Sequence, residues 1–148
     1  MNEAYCSLLK QKLDVWQSKH GKFDVVIGCE TEGIRIGYVL SKLISLPFYI
    51  MPKKSTDYSE VVIPAYPVDT HWLIVDDIVT TGSTYIKAVD FLDIEEKPES
   101  ITFACMIKRN TENMDYSTVH GDPDKEQLHV RDERFDFIDK RLVALHSE

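Results

Sequence analysis

LIVDDIVTTGST, Leu73 to Thr84, runs an apolar strand into two adjacent carboxylates and then into four hydroxyls around one glycine. Neither half suits a core. Asp76 and Asp77 repel each other and are costly to bury without partners. Thr80, Thr81, Ser83 and Thr84 prefer turns and helix caps to the interior of a strand or helix. The stretch therefore reads as a site at the carboxyl end of a strand, where a helix begins. Free backbone N–H groups and the positive end of a helix dipole meet at such a point and favour an anion. The hydroxyls add donors, and Gly82 permits close approach of the backbone. The turn suits a phosphate monoester, and the two carboxylates beside it suit vicinal hydroxyls. A phosphate next to a diol is ribose 5-phosphate.

The rest of the chain narrows the setting. Its 148 residues form one domain, 1–148, with length for a real core. A hydrophobic content of 43% with 28% charged residues suits a soluble globular chain. A net charge of −8 argues against general binding to nucleic acid or membrane. An anionic ligand would thus need local help from amides, lysines or a metal. Cys6, Cys29 and Cys105 are too far apart in sequence for a zinc site or a disulfide frame, which points to a reducing cytoplasm. The N-terminal residues lack the apolar core of a signal peptide.

Periodicity divides the chain into alternating elements. Residues 3–19 have helical spacing; FDVVIG (23–28) reads as a buried strand; IRIGYVLSKLISL (34–46) is helical again. PFYIMP, HWLIVDD and SITFACMIKR read as further strands, and GSTYIKAVDFLD as a helix. Residues 53–70 read as a loop with a small strand at Val61 to Ile63, and residues 110–127 as a second loop. The C-terminal LHVRDERFDFIDKRLVALHSE is ambiguous, with one or two short strands and a helical turn. Strands alternating with helices predict an α/β fold with a parallel sheet, whose ligand lies beyond the carboxyl ends of the strands. Rival phosphate motifs fail. Gly28 to Gly33 has P-loop glycine spacing, but Ile34 and Arg35 stand where Lys and Ser/Thr belong, and no G-x-G-x-x-G occurs.

LIVDDIVTTGST resembles the phosphoribosyl-pyrophosphate (PRPP) motif of type I phosphoribosyltransferases: an apolar strand, two acids and a T-G-x-T phosphate loop. The resemblance implies that Asp76 and Asp77 hold the ribose hydroxyls. It implies that Thr80, Thr81, Gly82, Ser83 and Thr84 wrap the 5-phosphate. Upstream, DVVIGCETEGIRIG resembles the family's strand and pyrophosphate loop, with Glu30, Thr31, Glu32 and Gly33 as the loop and a strained or non-proline cis peptide expected between Glu30 and Gly33, Thr31–Glu32 being the first choice. PFYIMPKKSTDY is similar to the R-K-x-x-K segment of orotate enzymes; Lys53 fits the first lysine, while Pro52 and Thr56 replace the arginine and the second lysine. CMIKRN resembles the strand of hypoxanthine-type enzymes whose lysine contacts the purine, at Lys108. The likeness covers about Phe23 to Arg109.

What the resemblance implies is a core over about 20–109 and a base-covering hood over 110–148. The implied reaction transfers phosphoribosyl from PRPP to a nucleobase, with a purine slightly favoured, and releases pyrophosphate. Lys53, Asp76 and Asp77 would be catalytic, and Mg²⁺ would be held by Asp76 and Asp77 indirectly, through ligand or water. A cytoplasmic homodimer is the expected setting. The alternative is a catalytically silent PRPP-binding regulator on the same fold. Glu30 and Glu32 carry negative charge into the pyrophosphate loop, and Pro52 stands in place of the arginine; both features favour it. Thr80 stands where hypoxanthine-type enzymes have a carboxylate, which weakens a hypoxanthine–guanine assignment.

Overall fold

Three strands of the sequence are apolar at nearly every position, and such runs belong in the middle of a parallel sheet covered on both faces. The computed structural model describes residues 3–51, 70–80, 82–92, 101–109, 138 and 140–148. In it those runs are β1 (Val25–Cys29), β3 (Trp72–Val75) and β5 (Ile101–Lys108), buried throughout except at the last two residues of β5. β2 (Phe48–Met51) pairs with β1 at one side of the sheet, and β6 (Leu142–Ser147) pairs with β5 at the other. β4 (Ile78–Val79) prolongs β3 along β5 in unchanged register, since Val75 faces Ala104 and Ile78 faces Ile107. Every pairing is parallel. The two outer strands, FYIM and LVALHS, are only partly buried and carry more mixed sequences.

Helix α1 (Glu3–His20) buries Cys6, Leu9 and Leu13, and α2 (Glu32–Ile44) buries Ile36 and Leu40 on the same face of the sheet. α3 (Ser83–Leu92) covers the other face with Tyr85, Ala88 and Val89. The alternation of β5 follows from this. Thr102, Ala104 and Met106 look toward α1 and α2, whereas Ile101, Phe103 and Cys105 look toward α3. α2 lies unusually close to the sheet. A Cβ at Gly28 would stand 2.7 Å from the Gly33 carbonyl oxygen.

The expected α/β class and the parallel sheet hold. β6 is a difference. Residues 142–147, assigned by sequence to the hood, belong to the core sheet, because Val143 and Leu145 supply apolar cover beneath α1. The helical turn expected before them is present, with the Arg141 amide donating to the Ile138 carbonyl. Residues 110–137, the remainder of the expected hood apart from the stretch at 138–141, lie outside the described residues.

Candidate active site

β3 does not end at the acid pair. The Asp76 amide continues the ladder by donating to the Ala104 carbonyl at 3.0 Å, and the Asp77 carbonyl accepts from both the Met106 and Ile107 amides. β4 then resumes because Ile78 and Val79 are β-branched and Val79 is buried. The two acids are therefore an irregular step inside a strand, with Thr80 following β4.

That step fixes which way each carboxylate points. Gly28, Val75 and Ala104 are neighbours across three strands. One residue further on, Cys29, Asp76 and Cys105 form a row on the α3 face, and Tyr85 packs beneath it. Asp76 is only 8% exposed. Its Oδ1 accepts the Asp77 amide at 2.8 Å, and the Thr84 hydroxyl beside it favours the charged carboxylate. Burial pushes its pKa up to about 7; the Asp77 side chain adds to the rise, while the Asp77 amide and Thr84 oppose it. The flanking thiols move the same way. Burial and then Asp76 raise Cys29 well above its ordinary value, and the same causes take Cys105 to about 12. Both remain protonated thiols, which are poor nucleophiles and poor metal ligands. Asp77 is half-buried and stands nearer the solvent.

The N-terminus of α2 meets this step from the other face. A Cβ on Gly33 would lie 2.5 Å from the Val75 carbonyl oxygen, 3.0 Å from the Asp76 Cα and 3.3 Å from Asp76 Oδ1. Only glycine lets the helix start so close to the acids. Thr31 is the N-cap and makes no side-chain cap; its carbonyl accepts the Ile34 amide at 3.3 Å. The expected loop is thus half helix: Glu32 and Gly33 already belong to the first turn of α2. A non-proline cis peptide is present within the expected stretch, at Glu30–Thr31, one bond before the first choice Thr31–Glu32. The Glu32 side chain is exposed, and the Glu30 amide donates to the Met51 carbonyl, continuing the β1–β2 ladder.

The phosphate turn leads into α3. Gly82 has φ of +79°, a left-handed value that other residues adopt at a cost, and its carbonyl accepts the Ile86 amide at 3.0 Å. Ser83 and Thr84 open the helix and are half-buried, as is Thr80 before the turn. Thr81 and Lys53 lie outside the described residues. Asp76, Asp77, Glu32, Gly33, Gly82 and Thr84 are thus brought to one edge of the sheet. Lys108 ends β5 at that edge beside Val79, but it lines a cavity of about 360 Å³ between α1 and β6, together with Lys12, Trp16 and Lys19. Sequence reasoning missed Tyr85. It was legible only as a tyrosine on the buried stripe of α3, where a hydroxyl needs a partner. Among the described residues no group of three or more His, Cys, Asp or Glu could hold a metal ion.

Residues 7–127 match the family model of the phosphoribosyl transferase domain, and the chain belongs to that family. No curated protein matches it in sequence. Solved structures share its fold. Adenine phosphoribosyltransferase from Giardia lamblia, in complex with 9-deazaadenine, is 15% identical with a TM-score of 0.59, over 97% of this chain and 79% of that one. Orotate phosphoribosyltransferase from Aeropyrum pernix is 20% identical with a TM-score of 0.57, over 97% and 70%. Purine phosphoribosyltransferase from Pyrococcus horikoshii is 23% identical with a TM-score of 0.55, over 76% and 75%. Adenine, orotate and purine enzymes thus share one fold with this chain, and the fold does not choose among their substrates.

Proposed function

We propose that the chain transfers the 5-phosphoribosyl group from PRPP to a nucleobase, a purine slightly favoured, and releases pyrophosphate. One observation carries this reading: the starts of α2 and α3 converge on the same acid pair, Gly33 by backbone contact and Thr84 by its hydroxyl. Two helix N-termini flanking two carboxylates match a ligand with a phosphate at each end and a diol between them. The 5-phosphate would sit on residues 80–84 and the pyrophosphate on the loop Glu30 to Gly33, at the amides of Thr31, Glu32 and Gly33. Asp77 and Asp76 would accept the ribose hydroxyls. A base nitrogen attacks the anomeric carbon as the bond to pyrophosphate breaks. Catalysis by these residues is chiefly positioning, with Lys53 proposed to neutralise the leaving group and Lys108 proposed to meet the base.

The donor set fits magnesium, which takes one or two carboxylates together with substrate phosphates and water. Asp76 and Asp77 would hold it through ligand or water. When bound, it would supply charge neutralisation for the pyrophosphate. A cytoplasmic homodimer is the proposed setting. The exposed Tyr5, Leu8 and Val15 on α1 support an interface between copies, and light scattering tests it.

The second reading, a PRPP-binding regulator without turnover, draws its support from Glu30 and from Glu32 in the first turn of α2, where a carboxylate already satisfies the helix dipole. Pyrophosphate release with PRPP, Mg²⁺ and a panel of adenine, hypoxanthine, guanine and orotate separates the two. Turnover with one base establishes the enzyme; PRPP binding with no release from any base establishes the regulator. Gly82→Val should abolish PRPP binding with modest loss of fold, and unchanged affinity in a titration would refute the phosphate assignment.

A further inference from the structure

Tyr85 is the second residue after the phosphate turn's Ser83, in the first turn of α3, and it is 1% exposed. Its ring packs on Phe103 with centroids 4.8 Å apart. Its hydroxyl donates to the Ala104 carbonyl at 2.6 Å. The same carbonyl accepts the Asp76 amide at 3.0 Å. One oxygen of β5 therefore ties together the acid-bearing strand and the helix that carries the phosphate turn. Tyr85, Ala104 and Asp76 thus form a triangle of two hydrogen bonds that share one acceptor. Burial holds the Tyr85 hydroxyl well above its ordinary pKa, so it stays a donor at every physiological pH.

A packed apolar side chain at position 85 would fill the same space but leave α3 free to slide over the sheet, since dispersion contacts are non-directional. A short buried hydrogen bond fixes direction as well as distance. The triangle fixes the one separation that matters for a ribose 5-phosphate unit: from the amides and hydroxyls at residues 82–84 to the carboxylates at 76 and 77.

We propose that Tyr85 is a positioning residue which, through the shared Ala104 carbonyl, sets the spacing between the phosphate turn and the diol-binding acids, so that phosphate and diol are recognised together. This rests on the reading of the site as a phosphoribosyl site. Tyr85 touches no ligand; it acts through Thr84 on one side and Asp76 on the other.

The test is a set of calorimetric titrations in Mg²⁺ with inorganic phosphate, ribose 5-phosphate and 2-deoxyribose 5-phosphate. The wild-type chain should prefer ribose 5-phosphate to its 2-deoxy analogue on the order of tenfold, one satisfied hydroxyl's worth. In Tyr85→Phe that ratio should fall toward one while the affinity for inorganic phosphate stays within about twofold. Phe103→Leu, which thins the packing against the Tyr85 ring but removes neither hydrogen bond to the Ala104 carbonyl, should lower the melting temperature and leave the ratio intact. A Tyr85→Phe protein that keeps the wild-type ratio, loses phosphate binding as well, or fails to fold overturns the positioning role. So does a Phe103→Leu protein that loses the ratio. A wild-type chain that binds none of the three ligands would instead refute the phosphoribosyl reading.

Discussion

The two edges of the sheet bury polar groups in opposite ways. At the amino edge, Trp16 Nε1 donates to Thr102 Oγ1 at 2.9 Å, and His71 Nε2 lies 2.8 Å from the same hydroxyl. Indole can only donate, while the Thr102 hydroxyl has two lone pairs and one proton, so it meets His71 Nε2 as acceptor or donor according to the imidazole tautomer. The His71 amide donates to Asp24 Oδ2, and the Asp24 amide donates back to the His71 carbonyl. Arg141 stacks over Trp16 and donates to the Ile101 carbonyl. This network closes on itself with every member neutral or paired. At the carboxyl edge, two carboxylates are pressed together among thiols and helix starts. The amino edge is complete in itself, and the carboxyl edge is the one the proposed reading completes with a ligand.

The edges should therefore respond to pH with opposite sign. Burial, then the Arg141 charge, lowers the His71 pKa from its ordinary 6.5. The unfolded chain takes the proton first as pH falls. His71 thus contributes stability above about 6.5 that is lost as pH drops through its lower folded value. Asp76 is raised from 3.8 to about 7, chiefly by burial. The folded chain holds the proton there, so its contribution is full below about 4 and is lost as pH rises through about 7.

Four substitutions can break or sharpen this contrast. The largest effect is expected from Asp76→Asn combined with Asp77→Asn. It should reduce pyrophosphate release on the order of 10²–10³-fold, the scale of losing preorganised charge at a reacting centre. It should weaken magnesium–PRPP binding in calorimetry and cost the fold little. A collapsed melting temperature with turnover intact would make the acids structural. Next, Gly33→Ala drives a methyl toward the Val75 carbonyl oxygen. Overpacking of about 1–3 kcal/mol should lower the melting temperature by several degrees and weaken PRPP binding alongside. Full affinity in that variant would show that the close approach of α2 is not needed by the ligand.

The stability effects are smaller. Asp76→Asn should raise stability by about 1–3 kcal/mol at pH 8, where the native carboxylate is charged and buried, with much less gain at pH 5. Urea midpoints at the two values check it; an equal gain at both would deny the raised pKa. His71→Gln should show the reverse slope at the amino edge. The wild-type midpoint should fall between pH 7 and pH 5, and the variant, already weaker from the lost Thr102 bond, should fall less over that interval. Parallel slopes would place the acid sensitivity elsewhere in the chain.

The elements of the fold were legible because their periods were. Residues 3–19 were expected as a helix and α1 spans Glu3–His20; SITFACMIKR contains all of β5. The boundaries moved where local propensity met packing. α2 begins at Glu32, two residues early, because Gly33 can nest against Val75, and it stops at Ile44, where Ser45 turns left-handed with φ of 63°. The last strand stayed ambiguous because LVALHS is short and only partly apolar, and its place depends on a β5 edge forty residues upstream.

By itself the sequence determined the class of fold and which residues are candidates for the site, because a strand's apolar run, an acid pair and a glycine-centred hydroxyl turn each impose local constraints that their neighbours in the chain make plain. The tertiary structure alone decided that Asp76 is buried between Cys29 and Cys105 while Asp77 stands nearer the solvent, that α2 rests on the acids through Gly33, and that Tyr85 and Asp76 share one carbonyl of β5. Those relations join residues from separate strands and helices. They are set by register and helix placement, which depend on how two faces of a sheet are covered and not on any one stretch of chain.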